Sequence, residues 1–282
     1  MMVGDISAQR VQKSFHLKEA VGNICEWLSG QTGLPKGRIK VAMANGALLV
    51  KKPGAKWQRL RRATASLPSG SSIKLSYDPV LLAIKPEPPE LISDCSNYSV
   101  WFKSPGLLSQ GNEWGDHCSV LRLVEQSFAN NRHVFLIHRL DRDACGLIVV
   151  AHDKKSAGLL SNLFSGRDIN KSYLVRVEGQ LPQSITRIDT PLDGKAAVST
   201  VEIISVDQDS SLLAVSIETG RKHQIRRHLS QIGHPVRGDA LYGVKNPGGL
   251  HLAATKLDFM CPVRGQQVIF ELSSSRIGRY WQ

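Results

Sequence analysis

The sequence predicts an α/β (α+β) protein built in two unequal parts. From about residue 98 to the C-terminus the apolar segments are mainly short and strand-like, and only two stretches space their apolar residues as a helix does. Before them lies a shorter region in which helical spacing gives way to two short strand-like runs. Between the two, residues 77–99 hold four of the chain's 13 prolines. Proline removes a donor and restricts its predecessor, so residues 78 to 97 are expected to be irregular.

Taken in order, EAVGNICEWLSGQTG places Val21, Ile24, Cys25 and Leu28 on one helical face, with Gly30 or Gly33 to end it. LPKGRIKVAMANG follows as a second short helix closed by Asn45-Gly46, and ALLV and SIKLSYD read as strands. In the larger part the strand candidates are SVWF, VFLI, GLIVVA, SYLVRVEG, STVEIISV, LLAVSIE and VIFELS; SYLVRVEG and LLAVSIE alternate as half-buried strands do. KKSAGLLSNLFSG and RKHQIRRHLSQIG are its helices. No internal repeat or low-complexity tract interrupts the chain.

Composition narrows the function classes. With 282 residues, 41% hydrophobic and 21% charged, the chain has the balance of an ordinary globular protein. Its longest apolar runs are far too short to span a bilayer, and MMVGDISAQRVQKSF has no apolar core of signal-peptide length, so a cytoplasmic location and no membrane partner are expected. Five scattered cysteines form no CxxC pair and read as reduced thiols. Thirty-six basic against 24 acidic residues give a formal charge of +12, which favours a polyanionic partner. The charge is concentrated: Lys36 to Arg62 contains nine Lys or Arg and no Asp or Glu, interrupted by Val, Ala, Leu and Trp57.

The chemistry-bearing residues gather in the larger part. HRLDRDACGL sets His138, Arg139, Asp141, Arg142 and Asp143 between two apolar runs, a charge density that a buried strand would not tolerate unpaired. It is either an exposed loop or the floor of a site. In TGRKHQIRRHLSQIGHPVRGDALYG, residues 221–228 hold six basic or imidazole groups; on a helix His223 and Arg226 share a face, as do Gln224, Arg227 and His228. So many cations fit phosphate, or a carboxylate that needs neutralising. A metal centre is the alternative, since His223, His228, His234 and Asp239 converge if the chain turns. The His223–His228 spacing of five, however, is not that of an HExxH site. No GxSxG elbow, Walker loop or dinucleotide fingerprint occurs.

Three of these stretches, HRLDRDACGLIVVAHD, INKSYLVRVEG and TGRKHQIRRHLSQIGHPVRGDALYG, resemble in order and spacing the motifs of the RluA-type RNA pseudouridine synthases. FKSPGLL is similar to that family's short KPxGL stretch, with Ser104 inserted. The order of elements over residues 17–78 resembles the small RNA-binding module first seen in a ribosomal small-subunit protein, here called S-four-like. The resemblance implies a mixed, largely antiparallel central sheet with flanking helices. It also implies residues 1–78 as the RNA-binding domain, 79–97 as a proline-rich linker and 98–282 as the catalytic domain.

The implied reaction isomerises uridine to pseudouridine with no cofactor and no metal. By resemblance Asp141 is the carboxylate, acting as nucleophile at the anomeric carbon or as base beside it. Arg221 is the cation that offsets its burial, and Tyr173 is the ring against the target base. Arg139 fills the space the extruded base vacates, Leu252 packs on the base, and Lys171, Arg38 and Lys40 are RNA contacts. Ribosomal (large-subunit) or transfer RNA is the implied partner, and a monomer the expected state. The family usually has Thr-Ser or Ser-Ser where this chain has Ala144-Cys145. Two rivals stand beside this reading: a non-catalytic RNA-binding or chaperone protein retaining the fold, and a metal-dependent hydrolase built on the histidines.

Overall fold

The computed structural model describes residues 9–166 and 168–281. The start of the N-terminal segment read above for a signal peptide lies outside them. The chain divides into two compact units, residues 1–87 with 110–123, and residues 88–109 with 124–282.

The first unit is a four-stranded antiparallel sheet in the order β1 (Val11–His16), β4 (Ser72–Tyr77), β2 (Leu48–Lys51), β3 (Gln58–Arg59). Two helices, α1 (Ile24–Thr32) and α2 (Lys36–Ala44), pack Ile24, Leu28, Ile39 and Met43 into one core with Leu48, Val50, Ile73 and Leu75. Asn23 caps α1 through the Glu26 N–H (3.2 Å), and Gly33 ends it at φ 76°, its N–H returning to the Ser29 carbonyl. Residues 110–123 belong to this unit as well: Asp116 Oδ2 lies 3.0 Å from Arg59 Nε and 2.5 Å from Arg61 Nη2. Two cations of the basic stretch are therefore already neutralised within it.

The stretch expected to be irregular is not uniformly so. Asp78 caps a helical turn, α3 (Pro79–Leu82), and Glu90–Asp94 forms strand β5. The prolines permit this because Pro88 and Pro89 precede β5, which among the described residues pairs with β6 (Tyr98–Lys103) alone, at the sheet edge.

The second unit has a mixed, largely antiparallel ten-stranded sheet. Its order is β10 (Arg187–Ile188), β11 (Ser199–Val206), β12 (Ser210–Ile217), β9 (Ile169–Glu178), β13 (Leu252–Cys261), β8 (Cys145–Ala151), β6, β5. The short β7 (Phe135–Leu136) pairs with β8, and β14 (Gln266–Glu271) with β13. Helices α5 (Lys154–Gly166) and α6 (Gln224–Gln231) flank it; α4 (Val120–Ser127) and α7 (Ser274–Gly278) complete the elements. Two apolar cores result, one around Tyr98, Phe102, Val149 and Phe259, the other around Val175, Leu213, Val215 and Leu229.

The functional region sits where the sheet changes direction. β13 runs parallel to β8 only through Ala253–Cys145 and Ala254–Gly146, and antiparallel to β9 through Leu252–Val175 and Ala254–Tyr173. Gly146, at φ 118°, approaches Ala254 so closely that a Cβ there would overlap the Ala254 backbone. Gly146→Ala should therefore combine backbone strain with overpacking and cost at least about 3 kcal/mol. A loss of soluble protein, or a large fall in Tm by calorimetry, is the expected outcome; a variant melting within a few degrees of wild type would contradict the packing described.

Candidate active site

The HRLDRDA segment is the loop between β7 and β8, and residues 103–109 brace it from below. The ammonium of Lys103, fully buried, donates to the carbonyls of Ala144 (2.6 Å), Arg142 (2.8 Å) and Ser104 (3.2 Å). Burial pushes its pKa down to about 8, which leaves it charged at neutral pH with three hydrogens for three carbonyls. Ser109 clamps Leu140 from both sides, accepting its N–H (3.0 Å) and donating to its carbonyl (2.8 Å), and the Gly106 N–H reaches the Arg142 carbonyl (2.9 Å). These contacts explain why FKSPGLLS stands out in the sequence. They act on backbone atoms, so the loop holds its shape without hydroxyls at Ala144 and Cys145.

His138 anchors the start of the same loop. Its Nε2 accepts the Val149 N–H (3.1 Å) and its ring stacks on Phe164 at 4.3 Å between centroids. Burial, with Lys171 nearby, pushes its pKa down to about 3, so it is a neutral structural ring.

Asp141 projects from the loop into a pocket lined by Arg139, Leu140, Ala144, Tyr173, Ile217, Gly220, Arg221, His223, Gln224, Ile225, Arg226, Leu252 and Ala254. Among the described residues it is the sole carboxylate lining that pocket. The cation that holds it is Arg226, not Arg221. Arg226 Nη1 donates to Asp141 Oδ2 (2.9 Å), while its Nε and Nη2 form a two-pronged pair with Asp239 (2.7 Å each). Asp239 is fully buried and also accepts the Leu241 and Tyr242 N–H groups at 2.9 and 3.1 Å. Burial alone would lower the Arg226 pKa, but its bonds to Asp239 and Asp141 hold it above the ordinary value.

His223 completes the surroundings of Asp141. It occupies the left-handed region (φ 53°, ψ 32°) just before α6, so the regular helix begins at Gln224, three residues later than the apolar spacing suggests. Its Nδ1 lies 2.9 Å from the Tyr242 hydroxyl and its Nε2 3.7 Å from Asp141 Oδ1. Desolvation lowers its pKa, with Asp141 and Asp239 opposing and Arg226 and Lys222 reinforcing that shift.

Arg221 lines the pocket, but its Nε donates to the Ala196 carbonyl (3.0 Å). Gln224 fixes this turn, its Oε1 accepting the Arg221 N–H (3.1 Å) and the Thr219 hydroxyl (2.6 Å). The remaining cations of the motif disperse: Arg227 pairs with Asp193, and Arg237 with Glu178 and Asp209. The histidines do not converge. His228 lies between Ser199 Oγ and the Thr190 carbonyl (3.0 Å each) and His234 against the Glu178 carbonyl (3.0 Å), and no metal-holding cluster occurs among the described residues.

Tyr173 and Leu252 enter the pocket from β9 and β13, which the Ala254–Tyr173 register brings together. Burial, then the charge of Asp141, holds the Tyr173 phenol well above its ordinary pKa. Arg139 is exposed at the pocket rim. Lys171 lies elsewhere, its ammonium 6.0 Å from the Phe164 ring centroid. Arg38 and Lys40 are exposed on α2 of the first unit. No disulfide joins the five cysteines, all of which are buried, and no helix among the described residues is long and apolar enough to cross a membrane.

The family model described as RNA pseudouridylate synthase matches residues 97–231. An RNA pseudouridine synthase of Aquifex aeolicus is 30% identical over 251 residues, covering 76% of this chain and 79% of the relative. The chain belongs to the RNA pseudouridine synthases. The synthase YlyB of Bacillus subtilis is 28% identical over 95% of this chain and 93% of its own length. The relative called ribosomal large subunit pseudouridine synthase D, from Zymomonas mobilis, is 34% identical over 165 residues, 48% of this chain and 51% of that protein. These relatives make this an RluA-type synthase, an isomerase of uridine in RNA. The fold is shared with human RNA pseudouridylate synthase domain containing 1 (TM-score 0.58, 20% identity, 70% of this chain and 89% of that one). It is shared too with domain containing 4 (TM-score 0.55, 22% identity, 65% and 88%).

Two substitutions separate the synthase's two arginines. Arg226→Gln strands a buried carboxylate and should cost about 3–5 kcal/mol of stability together with activity. Arg221→Gln should stay within about 0.5 kcal/mol of wild type and affect activity alone. Chemical denaturation read beside turnover checks both; equal destabilisation by the two would sink the assignment. Lys103→Met leaves three carbonyls without a donor. It should lower stability by at least about 2 kcal/mol and reduce turnover at least tenfold with RNA affinity unchanged, measured by calorimetry, single-turnover assay and anisotropy.

Proposed function

We propose that the second unit isomerises a uridine in large-subunit ribosomal RNA or transfer RNA, with Asp141 as the catalytic carboxylate. The observation that carries this is the pairing of Asp141, the one carboxylate among the described residues that line the pocket, with Arg226. A carboxylate held by a fixed cation and open to the pocket is what an attack at the sugar requires. The glycosidic bond from C1′ to N1 breaks while Asp141 either bonds C1′ or removes the hydrogen at C2′. The base leaves with the bonding pair on N1 and turns; C5 bonds C1′ as the Asp141–C1′ bond breaks or as Asp141 returns its proton to C2′, and the hydrogen on C5 then leaves as a proton while N1 takes one up.

Tyr173, its phenol held above the ordinary pKa by burial, packs its ring on the base. Leu252 supplies an apolar wall beside it. The target nucleotide must leave its stack, at a cost of a few kcal/mol that is smaller in a loop or bulge. Arg139 at the rim stacks through its guanidinium in the vacated space. Arg221 faces the substrate from the turn before α6. No cofactor takes part, and the enzyme acts as a cytoplasmic monomer. The first unit, built on the S-four-like residues 1–78, binds RNA. The chain passes from it to the catalytic part within residues 79–97, and Arg38 and Lys40 contact phosphate, as Lys171 does from the second unit. The Zymomonas relative's name favours ribosomal RNA.

Tritium release from RNA carrying uridine tritiated at C5 tests this, with ribosomal and transfer RNA transcribed separately without modification. Wild type should release tritium from one of them. Asp141→Asn should bind the same RNA within about twofold and release none, a rate loss of at least about a thousandfold. Release by the asparagine variant would remove Asp141 from the chemistry; release by neither protein, with binding retained, would favour an RNA-binding protein that keeps the fold.

A further inference from the structure

Helices α1 and α2 cover one face of the four-stranded sheet, and the register defines the other. Ser14 on β1 pairs with Lys74 on β4, and Lys74 with Leu49 on β2; one step along, His16 pairs with Ser72, and Ser72 with Lys51. Their neighbours Phe15, Ile73, Leu75 and Val50 point into the core. The helix-free face therefore presents Lys51 and Lys74 beside Ser14, His16, Leu49 and Ser72, and none of the four strands contains an Asp or Glu. The hairpin joining β2 to β3 adds Lys52 and Lys56 and ends at Trp57, which is 41% exposed and whose ring centroid lies 4.9 Å from the Lys74 ammonium.

This arrangement differs from a solvated charge run in one respect. An indole is held in place by a cation on a face whose strands carry no acidic residue, and much of its surface remains open. Arg59, the remaining cation of the face, is already taken by Asp116. What fits is a polyanion that also offers a flat π surface. Unpaired nucleotides provide both, phosphates for the lysines and a base for the ring, whereas the stacked bases of a duplex present no such surface.

We propose that this helix-free face, with Trp57 as a stacking platform and Lys51 and Lys74 as phosphate contacts, binds a single-stranded segment of the substrate RNA. The inference rests on the reading of the first unit as an RNA-binding module, and moves the principal contact from the α2 surface to the open sheet face. The occupant is a segment apart from the target uridine, whose pocket lies in the second unit.

The test uses the full chain and two fluorescein-labelled probes, a uridine-rich single strand of about 12 nucleotides and a duplex of equal length, followed by anisotropy over a salt series. Trp57→Ala should weaken the single strand about tenfold, leave the salt slope unchanged and leave duplex binding alone. Lys51→Gln with Lys74→Gln should flatten the salt slope. Trp57→Phe, which keeps a ring, should retain most of the affinity. Independently of any folding defect in the variants, the single strand should quench the part of the wild-type indole emission that Trp57→Phe lacks. Wild-type affinity in Trp57→Ala, equal weakening of both probes, or no quench assigned to Trp57 would overturn the proposal. If Arg38→Gln with Lys40→Gln weakens binding while the sheet-face variants do not, this inference alone falls. If neither set changes binding, the RNA-binding reading of the first unit falls with it.

Discussion

The site depends on one guanidinium shared by two carboxylates. Arg226 spends two of its donor groups on Asp239, inside the protein, and a third on Asp141, at the pocket. The inner pair would be an expensive element if either partner stood alone, because removing an ion from water costs several kcal/mol unless geometry and further hydrogen bonds offset it. Here they do: Asp239 accepts two backbone N–H groups as well as the two-pronged arginine. The result is a cation that does not have to be oriented when substrate arrives. Its outward nitrogen is aimed before the reaction begins, which is how a fixed charge contributes most in a partly dry pocket.

The carboxylate it meets is fixed from the opposite side. The Asp141 loop leaves β7 and enters β8 at the Gly146–Ala254 approach, where β13 also hands Ala254 to β9 beside Tyr173. The loop, the tyrosine and the apolar wall thus come from three adjacent strands of one sheet, while Arg226 and His223 come from α6 and the turn before it. His223 accepts an unfavourable backbone conformation to stand between Tyr242 and Asp141. Such outliers persist where surrounding structure over-determines them.

Much of this was legible in the sequence, for physical reasons that also mark where legibility stopped. α5 spans the KKSAGLLSNLFSG stretch read from its periodicity, because its apolar spacing is uninterrupted. β13, at the centre of the sheet, was not read as a strand. Its LAATKLDFMC sequence carries a register shift between Ala254 and Lys256, which breaks the alternation that signals a strand. β1 and α4 were missed as well; β1 is largely exposed, and α4 is only eight residues long. The three motifs hold Asp141, Tyr173 and Arg139, which line the pocket; Leu252, which lines it too, lies outside them. They did not say which arginine of TGRKHQIRR turns inward. That depends on His223 leaving the helical path, which sets Arg226 on the buried face and leaves Arg221 in the turn, a tertiary outcome without a local sequence signature. Lys103 was visible only as part of a short stretch, since nothing in its neighbours announces the carbonyls of Arg142 and Ala144 waiting across the fold.

The brace built from residues 103–109 has a consequence for how such a site changes. Every hydrogen bond described from it to the loop ends on a main-chain atom of Leu140, Arg142 or Ala144. The side chains of Arg142 and Asp143, both exposed, are left out of it. Geometry and surface chemistry are thereby uncoupled within four residues of the chain. The outer side chains are free to drift, acquire or shed charge, and explore new RNA contours, while the carboxylate they flank stays at a constant address.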